Sequence, residues 1–169
     1  KIEYPIFLDN DVRAMALGES WFGIAKSKEN FIVINVSNGI GAGIIIDNKP
    51  YYGVNFSAGE IGHISVRSNG RRCNCGNYGC LETIASNNSI VEKVSELLKS
   101  DSQSSLLKKG SIEKVTIKDI CDAAKENDSL AVNAIAEAAT YIGMAISNLI
   151  NILNPEYIKL QLLNATGDN

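Results

Sequence analysis

A cluster of potential metal ligands constrains this chain more than any other feature. Three of its four cysteines, Cys73, Cys75 and Cys80, lie within eight residues, and its single histidine, His63, precedes them. Cys73 and Cys75 are too close to form an unstrained disulfide with each other, and a set of three leaves one cysteine unpaired. Three thiolates and one imidazole complete the tetrahedral coordination that zinc prefers, with no position left open for catalysis. The spacing therefore predicts a structural zinc site and disfavours the alternative of three reduced thiols beside an unrelated histidine.

Composition limits the classes of function. A chain of 169 residues with 45% hydrophobic and 21% charged residues is typical of one globular domain, here 1–169. The net charge is −3, and no run of arginines and lysines is longer than a pair. This segment itself is therefore not expected to bind nucleic acid. No apolar run approaches the length needed to cross a membrane, so a membrane partner is not expected.

Hydrophobic patterning predicts a mixed α/β domain. Short apolar runs predict strands at 4–8, 30–37, 44–47 and 156–163, and a helix over 10–23 follows the first of them. After the cysteine cluster the pattern is helical, with a stripe over 90–98 and a helix capped by Thr116. A long helix covers 129–153, and Asn154–Pro155 ends it. Its predicted inward residues include Leu130, Ala138, Ile142, Leu149 and Ile150. Strands followed by helices and one more strand favour an α/β architecture.

The segment "SNGIGAG" leaves two interpretations open. Its glycines, Gly39, Gly41 and Gly43, are predicted to form a turn between two strands. A dinucleotide fingerprint needs a helix after the glycines, and a Walker loop needs a following lysine, so neither motif is present. The segment is either a plain hairpin turn or a loop whose backbone amides face a phosphate.

Several polar residues are candidates for binding a polyhydroxylated ligand. Asp11 opens the first predicted helix, where it is either a helix cap or a general base. Glu60 lies just before His63 in "AGEIGH", and Glu82 follows the last clustered cysteine, so a metal joining His63 to Cys80 would bring these carboxylates close together. Sugar hydroxyls require paired donors and acceptors of this kind, although each carboxylate taken alone is more typical of a surface charge.

Three segments together resemble the ROK family of repressors, open reading frames and kinases. They are "NDVRAMALGE", "GIGAGIIIDNKPYYGVNFSAGEIGH" and "GRRCNCGNYGCLETIAS". Their local sequences resemble those of xylose-repressor-type regulators most. The resemblance implies an actin-like ATPase fold of the ribonuclease-H-like type, with this chain as the C-terminal lobe of a bilobed protein. It implies a structural zinc held by His63, Cys73, Cys75 and Cys80. It also implies sugar contacts from Asn10, Asp11, Glu60, His63 and Glu82.

The family contains both sensors and enzymes, and this chain departs from the kinases at the glycine turn. Ser37 and Asn38 stand where the kinases usually have Gly-Thr, and the usual Gly-Gly pair is missing from the last ten residues. We therefore expect the effector-binding domain of a bacterial, cytoplasmic sugar-responsive repressor. Its ligand would be xylose or a hexose, its DNA-binding winged helix-turn-helix would lie upstream, and it would form a homodimer or larger oligomer.

The enzyme alternative is a fragment of a sugar kinase that uses ATP and magnesium. Asp11 would then be the base that deprotonates the sugar hydroxyl, and Gly39, Gly41 and Gly43 would face the nucleotide phosphates.

Overall fold

The computed structural model describes residues 4, 6, 8–109 and 111–162. The predicted strand over 4–8 is wrong where it can be examined, because Tyr4, Ile6 and Leu8 lie outside any strand and are at least 70% exposed. Pro5 and Phe7, and the last residue of the predicted C-terminal strand, lie outside the described residues.

The remaining predicted helices and strands occur in the predicted order, and the structure adds a short helix at 82–85 and a short strand at 49–50. The helices are α1 (Asp11–Phe22), α2 (Glu82–Ala85), α3 (Asn87–Leu98), α4 (Ile117–Lys125) and α5 (Ser129–Leu153). The strands are β1 (Phe31–Val36), β2 (Ile40–Ile46), β3 (Lys49–Pro50) and β4 (Tyr157–Leu162). Short 3-10 turns lie at Ile24–Ser27, Ile61–His63, Ser105–Lys109 and Ile112–Lys114.

The helix ends confirm the predicted capping signals. Thr116 and Asp119 form a capping box at the start of α4. Asn154 ends α5 in the left-handed conformation at φ 44°, which asparagine tolerates better than most residues.

The four strands form one sheet in the order β3-β2-β1-β4. β2 and β3 pair antiparallel, with Ile45 opposite Pro50. Asp47 and Asn48 join them with φ of 50° and 62°, the positive values that a tight two-residue hairpin turn requires. The predicted turn over 39–43 is wrong, because β2 begins at Ile40 and includes Gly41 and Gly43.

The chain divides into two compact units. The first consists of the described residues up to Ile34, Ala42–Gly59 and Pro155–Leu160, and the second of Asn35–Gly41, the described residues of Glu60–Asn154, and 161–162. A single domain over 1–169 stays a prediction.

The core of the first unit explains one of the motif glycines. A Cβ on Gly43 would lie 2.5 Å from the Val12 carbonyl oxygen and 2.6 Å from the Ala16 Cβ, so α1 can approach β2 only because Gly43 has no side chain. The core beside this contact consists of Ala16, Ala25, Phe31, Val33 and Ile45.

The second unit is built around α5, which packs against α2, α3 and α4. Its buried face includes the predicted Leu130, Ala138, Ile142 and Leu149, but Ile150 is 46% exposed, contrary to the prediction. By length and composition α5 could cross a membrane, so the absence of such a run was predicted wrongly. The core helices of soluble proteins can have the same length and composition.

Candidate metal centre and ligand site

The predicted metal ligands come together in the second unit. One ligand atom from each of His63, Cys73, Cys75 and Cys80 can be chosen so that all four lie within 4.8 Å of one another. Cys75 and Cys80 have their sulfurs 3.7 Å apart, and Cys73 Sγ lies 3.6 Å from His63 Nδ1. A tetrahedral ion with metal–sulfur bonds of about 2.3 Å places its sulfurs about 3.8 Å apart. The Cys₃His cluster can therefore bind a metal ion.

Electrostatics within the cluster favour a cation. Burial, the largest cause, acts together with the neighbouring Cys75 and Cys73 thiols to raise the pKa of Cys80 to about 12. The backbone N–H of Asn77 is the main cause of a lowered pKa at Cys75, which is exposed. A metal ion offsets the repulsion among adjacent thiolates, since coordination deprotonates a thiol outright.

The backbone between His63 and Cys80 is held tightly. Ser65 pairs with Cys80 in an isolated bridge, and Arg72 pairs with Tyr78. Gly79 accepts a hydrogen bond from Val66 N at 2.8 Å. A Cβ on Gly79 would lie 1.7 Å from the Arg67 carbonyl oxygen, and φ there is 64°, so only glycine fits.

Glu82 lies at the start of α2 and contacts the turn between β1 and β2. Its Oε2 accepts a hydrogen bond from the Ile40 backbone N–H at 3.0 Å. Asn87 N, in the first turn of α3, donates to the Ser37 carbonyl oxygen at 2.8 Å. The Ser37–Gly39 turn is thus held at both ends by the segment that follows the metal cluster.

Ile40 also contacts the segment that carries Glu60 and His63. A Cβ on Gly62 would lie 2.3 Å from the Ile40 carbonyl oxygen, so close backbone packing requires glycine here. Glu60 itself is exposed, and its backbone oxygen accepts from His63 N at 3.1 Å. Glu82 and the Glu60–His63 segment therefore both pack against the start of β2.

Asn10 and Asp11 lie in the first unit. Asn10 is the N-cap of α1, and its side chain accepts from Val12 N at 3.0 Å and Arg13 N at 3.3 Å. Asp11 is exposed, and its side chain makes one local hydrogen bond, from Val12 N at 2.8 Å. Asn10, rather than Asp11, is therefore the main helix cap, which leaves the Asp11 carboxylate available.

Sequence reasoning missed one cluster beside the segment from His63 to Cys80, which we call the metal loop. Arg67 donates to Glu137 Oε1 at 2.5 Å and to Tyr141 Oη at 2.7 Å, and its guanidinium lies 4.9 Å from the centre of the Tyr141 ring. Lys93 pairs with the same glutamate. These contacts connect the metal loop with α3 and α5. No sequence signal could have found them, because Arg67 and Tyr141 are 74 positions apart.

The model of the ROK family matches residues 1–161. The chain belongs to the ROK family. The DNA-binding transcriptional dual regulator NagC of Escherichia coli K12 is 43% identical over 158 residues, which are 94% of this chain and 38% of that protein. A xylose repressor of Caldicellulosiruptor bescii is 38% identical over 158 residues, covering 94% of this chain and 40% of the repressor.

The same fold occurs in the enzymes of the family. A ROK glucokinase from Streptomyces griseus, solved with glucose and AMPPNP, matches with a TM-score of 0.85 and 32% identity. The match covers 94% of this chain and 52% of the enzyme. The predicted mixed α/β, actin-like fold is thereby confirmed. The chain spans about two fifths of the length of the curated ROK regulators that it matches.

Proposed function

We propose that this chain is the sugar-binding effector domain of a ROK transcriptional repressor. The observation that carries the proposal is the position of His63. Its Nδ1 faces the Cys73 sulfur inside the metal cluster, so a structural zinc there would fix the ring and leave Nε2 for a ligand. Glu60 is three residues away in the chain, and Glu82 is bonded to Ile40, which also packs against Gly62.

The sugar ligands are proposed residue by residue. Within the second unit, Glu60 and Glu82 would accept from hydroxyl groups and His63 Nε2 would exchange a hydrogen bond with a third. Asn10 and Asp11 are proposed as further sugar ligands on the strength of the family pattern. The exposed Asp11 carboxylate accepts from Val12 N through Oδ1 and can also accept a hydrogen bond from a sugar hydroxyl. The names of the relatives make xylose, N-acetylglucosamine and glucose the first sugars to test.

The repressor role is favoured over catalysis by the turn at Ser37. A kinase needs preorganised contacts to phosphate, whereas a sensor can lose them. Here the Ser37 hydroxyl accepts from the buried Asn35 side chain at 3.3 Å, and the Ser37 N–H donates to Gly39 O at 2.9 Å, so both groups are already engaged. The sugar would control DNA binding because it has different affinities for two conformations of a homodimer. The homodimer would act in the bacterial cytoplasm, and a module outside residues 1–169 would bind the DNA.

Sugar kinase activity is the second candidate, favoured by the 32% identity to a glucokinase that binds glucose and AMPPNP. Asp11 would then be the base, with ATP and magnesium as co-substrates and Gly39, Gly41 and Gly43 near the phosphates. The close approach of α1 already requires a glycine at position 43, so the presence of Gly43 is weak support for a phosphate-binding role.

One experiment separates the two functions. The full-length gene product is titrated with D-xylose, D-glucose and N-acetylglucosamine by calorimetry, and the same samples with magnesium ATP are assayed for sugar phosphate. Binding without turnover is expected. Turnover would replace the repressor proposal with the kinase, and binding of none of the three sugars would refute a sensor for these sugars.

A further inference from the structure

The carboxylate of Glu82 has two oxygens with different surroundings. Oε2 accepts the Ile40 backbone N–H at 3.0 Å. Oε1 has no hydrogen-bond partner within the part of the chain that the structure describes. Glu82 is only partly buried, so this second oxygen can reach a ligand. A carboxylate held through one oxygen presents the other in a defined direction.

Gly39 lies directly against this carboxylate. A Cβ built on Gly39 would be 3.0 Å from Glu82 Oε2 and 3.9 Å from Glu82 Cδ, and nothing else lies within 4 Å. The backbone of Gly39 is not in the left-handed region, so an alanine could adopt it without strain. A side chain at this position would therefore have to displace the Glu82 carboxylate by a few tenths of an ångström, whereas the conformation of the turn itself would tolerate it.

We propose that Gly39 is a positioning residue for sugar binding, although it makes no contact with the sugar. Because Gly39 has no side chain, Oε2 of Glu82 can stay hydrogen-bonded to the Ile40 N–H. This bond fixes the direction in which Oε1 accepts a hydrogen bond from a sugar hydroxyl. The inference rests on the proposed function, because it assumes that Glu82 is a sugar ligand.

The proposal has a consequence for the selection of sugars. Discrimination between sugars that differ at one hydroxyl depends on acceptors held in one place, since a mobile carboxylate can follow a displaced hydroxyl. Releasing Glu82 from Ile40 should therefore lower both the affinity for the preferred sugar and the ratio of affinities among sugars. A purely structural role of Gly39 would lower stability and leave that ratio unchanged.

Gly39→Ala is the direct test, made in the full-length gene product. Dissociation constants for D-xylose, D-glucose and N-acetylglucosamine are measured by calorimetry in the wild type, Gly39→Ala, Glu82→Ala and the double variant. Gly143→Ala on α5 is the matched control, because a Cβ there meets nothing within 4 Å. Thermal melting confirms that each variant is folded.

We expect Gly39→Ala to weaken binding of the preferred sugar roughly 5- to 20-fold, the effect of one misplaced hydrogen bond to a charged group. The double variant should bind no worse than Glu82→Ala, because the two changes act through one contact. Gly143→Ala should bind like the wild type.

Glu82→Gln provides a second test that does not add volume. Its amide oxygen can still accept from Ile40, but its NH₂ group replaces the acceptor offered to the sugar, so a loss of at least about 10-fold is expected at unchanged melting temperature. Unchanged affinity and selectivity in Gly39→Ala or in Glu82→Gln, or additive losses in the double variant, would overturn the inference. A wild type that binds none of the sugars would refute the proposed function and the inference with it.

Discussion

Lys159 on β4 places its ammonium nitrogen 2.5 Å from the carboxylate of Glu19 on α1. Glu19 is 7% exposed, and its other oxygen accepts the backbone N–H of Ile24 at 2.7 Å. A Cβ on Gly23 would lie only 2.2 Å from this carboxylate carbon. One buried carboxylate therefore joins the end of α1, the following 3-10 turn and β4 within the first unit.

Glu19→Gln should lower the free energy of unfolding by about 2–3 kcal/mol, because it leaves a lysine beside a neutral amide in a buried site. The hydrogen bond from Lys159 lowers the pKa of Glu19 against the opposing effect of burial. The stabilisation is thus complete above the ordinary pKa of glutamate and is lost as the pH falls through the lowered value. Urea denaturation at pH 7 measures the change.

Lys28→Met is the control for Glu19→Gln. Lys28 pairs with Glu156 at 3.5 Å, and both side chains are more than 40% exposed, so this ion pair should contribute little. Equal losses in the two variants would contradict a special role for the buried pair.

Asp128→Ala should reduce stability by about 1–2 kcal/mol through loss of the N-cap of α5. Burial opposes ionisation of Asp128, but hydrogen bonds from Ala131, Ser105 and Ser104 outweigh it and lower its pKa to about 2. Its contribution is therefore present above about pH 4 and disappears as the pH falls towards about 2. Melting curves across this range should show a smaller acid-induced loss in the variant than in the wild type.

Asp122→Ala on α4 is the matched control for Asp128→Ala. Among the residues that the structure describes, Asp122 pairs with the exposed Lys118 and Lys125. An acid transition that changes equally in both variants would exclude Asp128 as its source.

Cys75→Ser should remove one bound zinc per chain and lower the melting temperature by roughly 5–10 °C, because metal binding contributes directly to folding. The Asn69–Leu81 loop should loosen, and sugar affinity should fall although Cys75 touches no sugar. Atomic emission, calorimetric melting and sugar titration measure the three effects.

Cys121→Ser, which changes the one cysteine outside the cluster, should keep the metal. Unchanged melting and sugar affinity in Cys75→Ser would argue against a metal-supported ligand site.

Asp11→Asn should abolish sugar binding by the full-length protein while its melting temperature changes little, because Asn10 supplies most of the cap of α1. Asp9→Asn is the matched control, since Asp9 is a neighbouring carboxylate engaged with Arg13 at 2.8 Å. A normal sugar response in Asp11→Asn would show that Asp11 is not a sugar ligand and that it acts only at the start of α1.

The cysteine cluster and the helices were predictable from sequence because their signals are local. The ligand spacing of Cys73, Cys75 and Cys80 and the caps at Thr116 and Asn154 each depend on a few neighbouring residues. The glycine segment was predicted less well. Glycines indicate turns in general, but Gly43 is required by the approach of α1 to β2, a contact that periodicity does not encode.

By itself the sequence determined the α/β class, the existence of the longer helices and the four residues of the Cys₃His cluster, since residue type and spacing along the chain set these features. Only the tertiary structure decided that Glu82 binds the Ile40 N–H, that Arg67 joins the metal loop to α5, and that Glu19 is buried against Lys159. The reason is physical. Each of these contacts joins residues that are 42 to 140 positions apart, and their energies depend on burial and direction that exist only after the chain has folded.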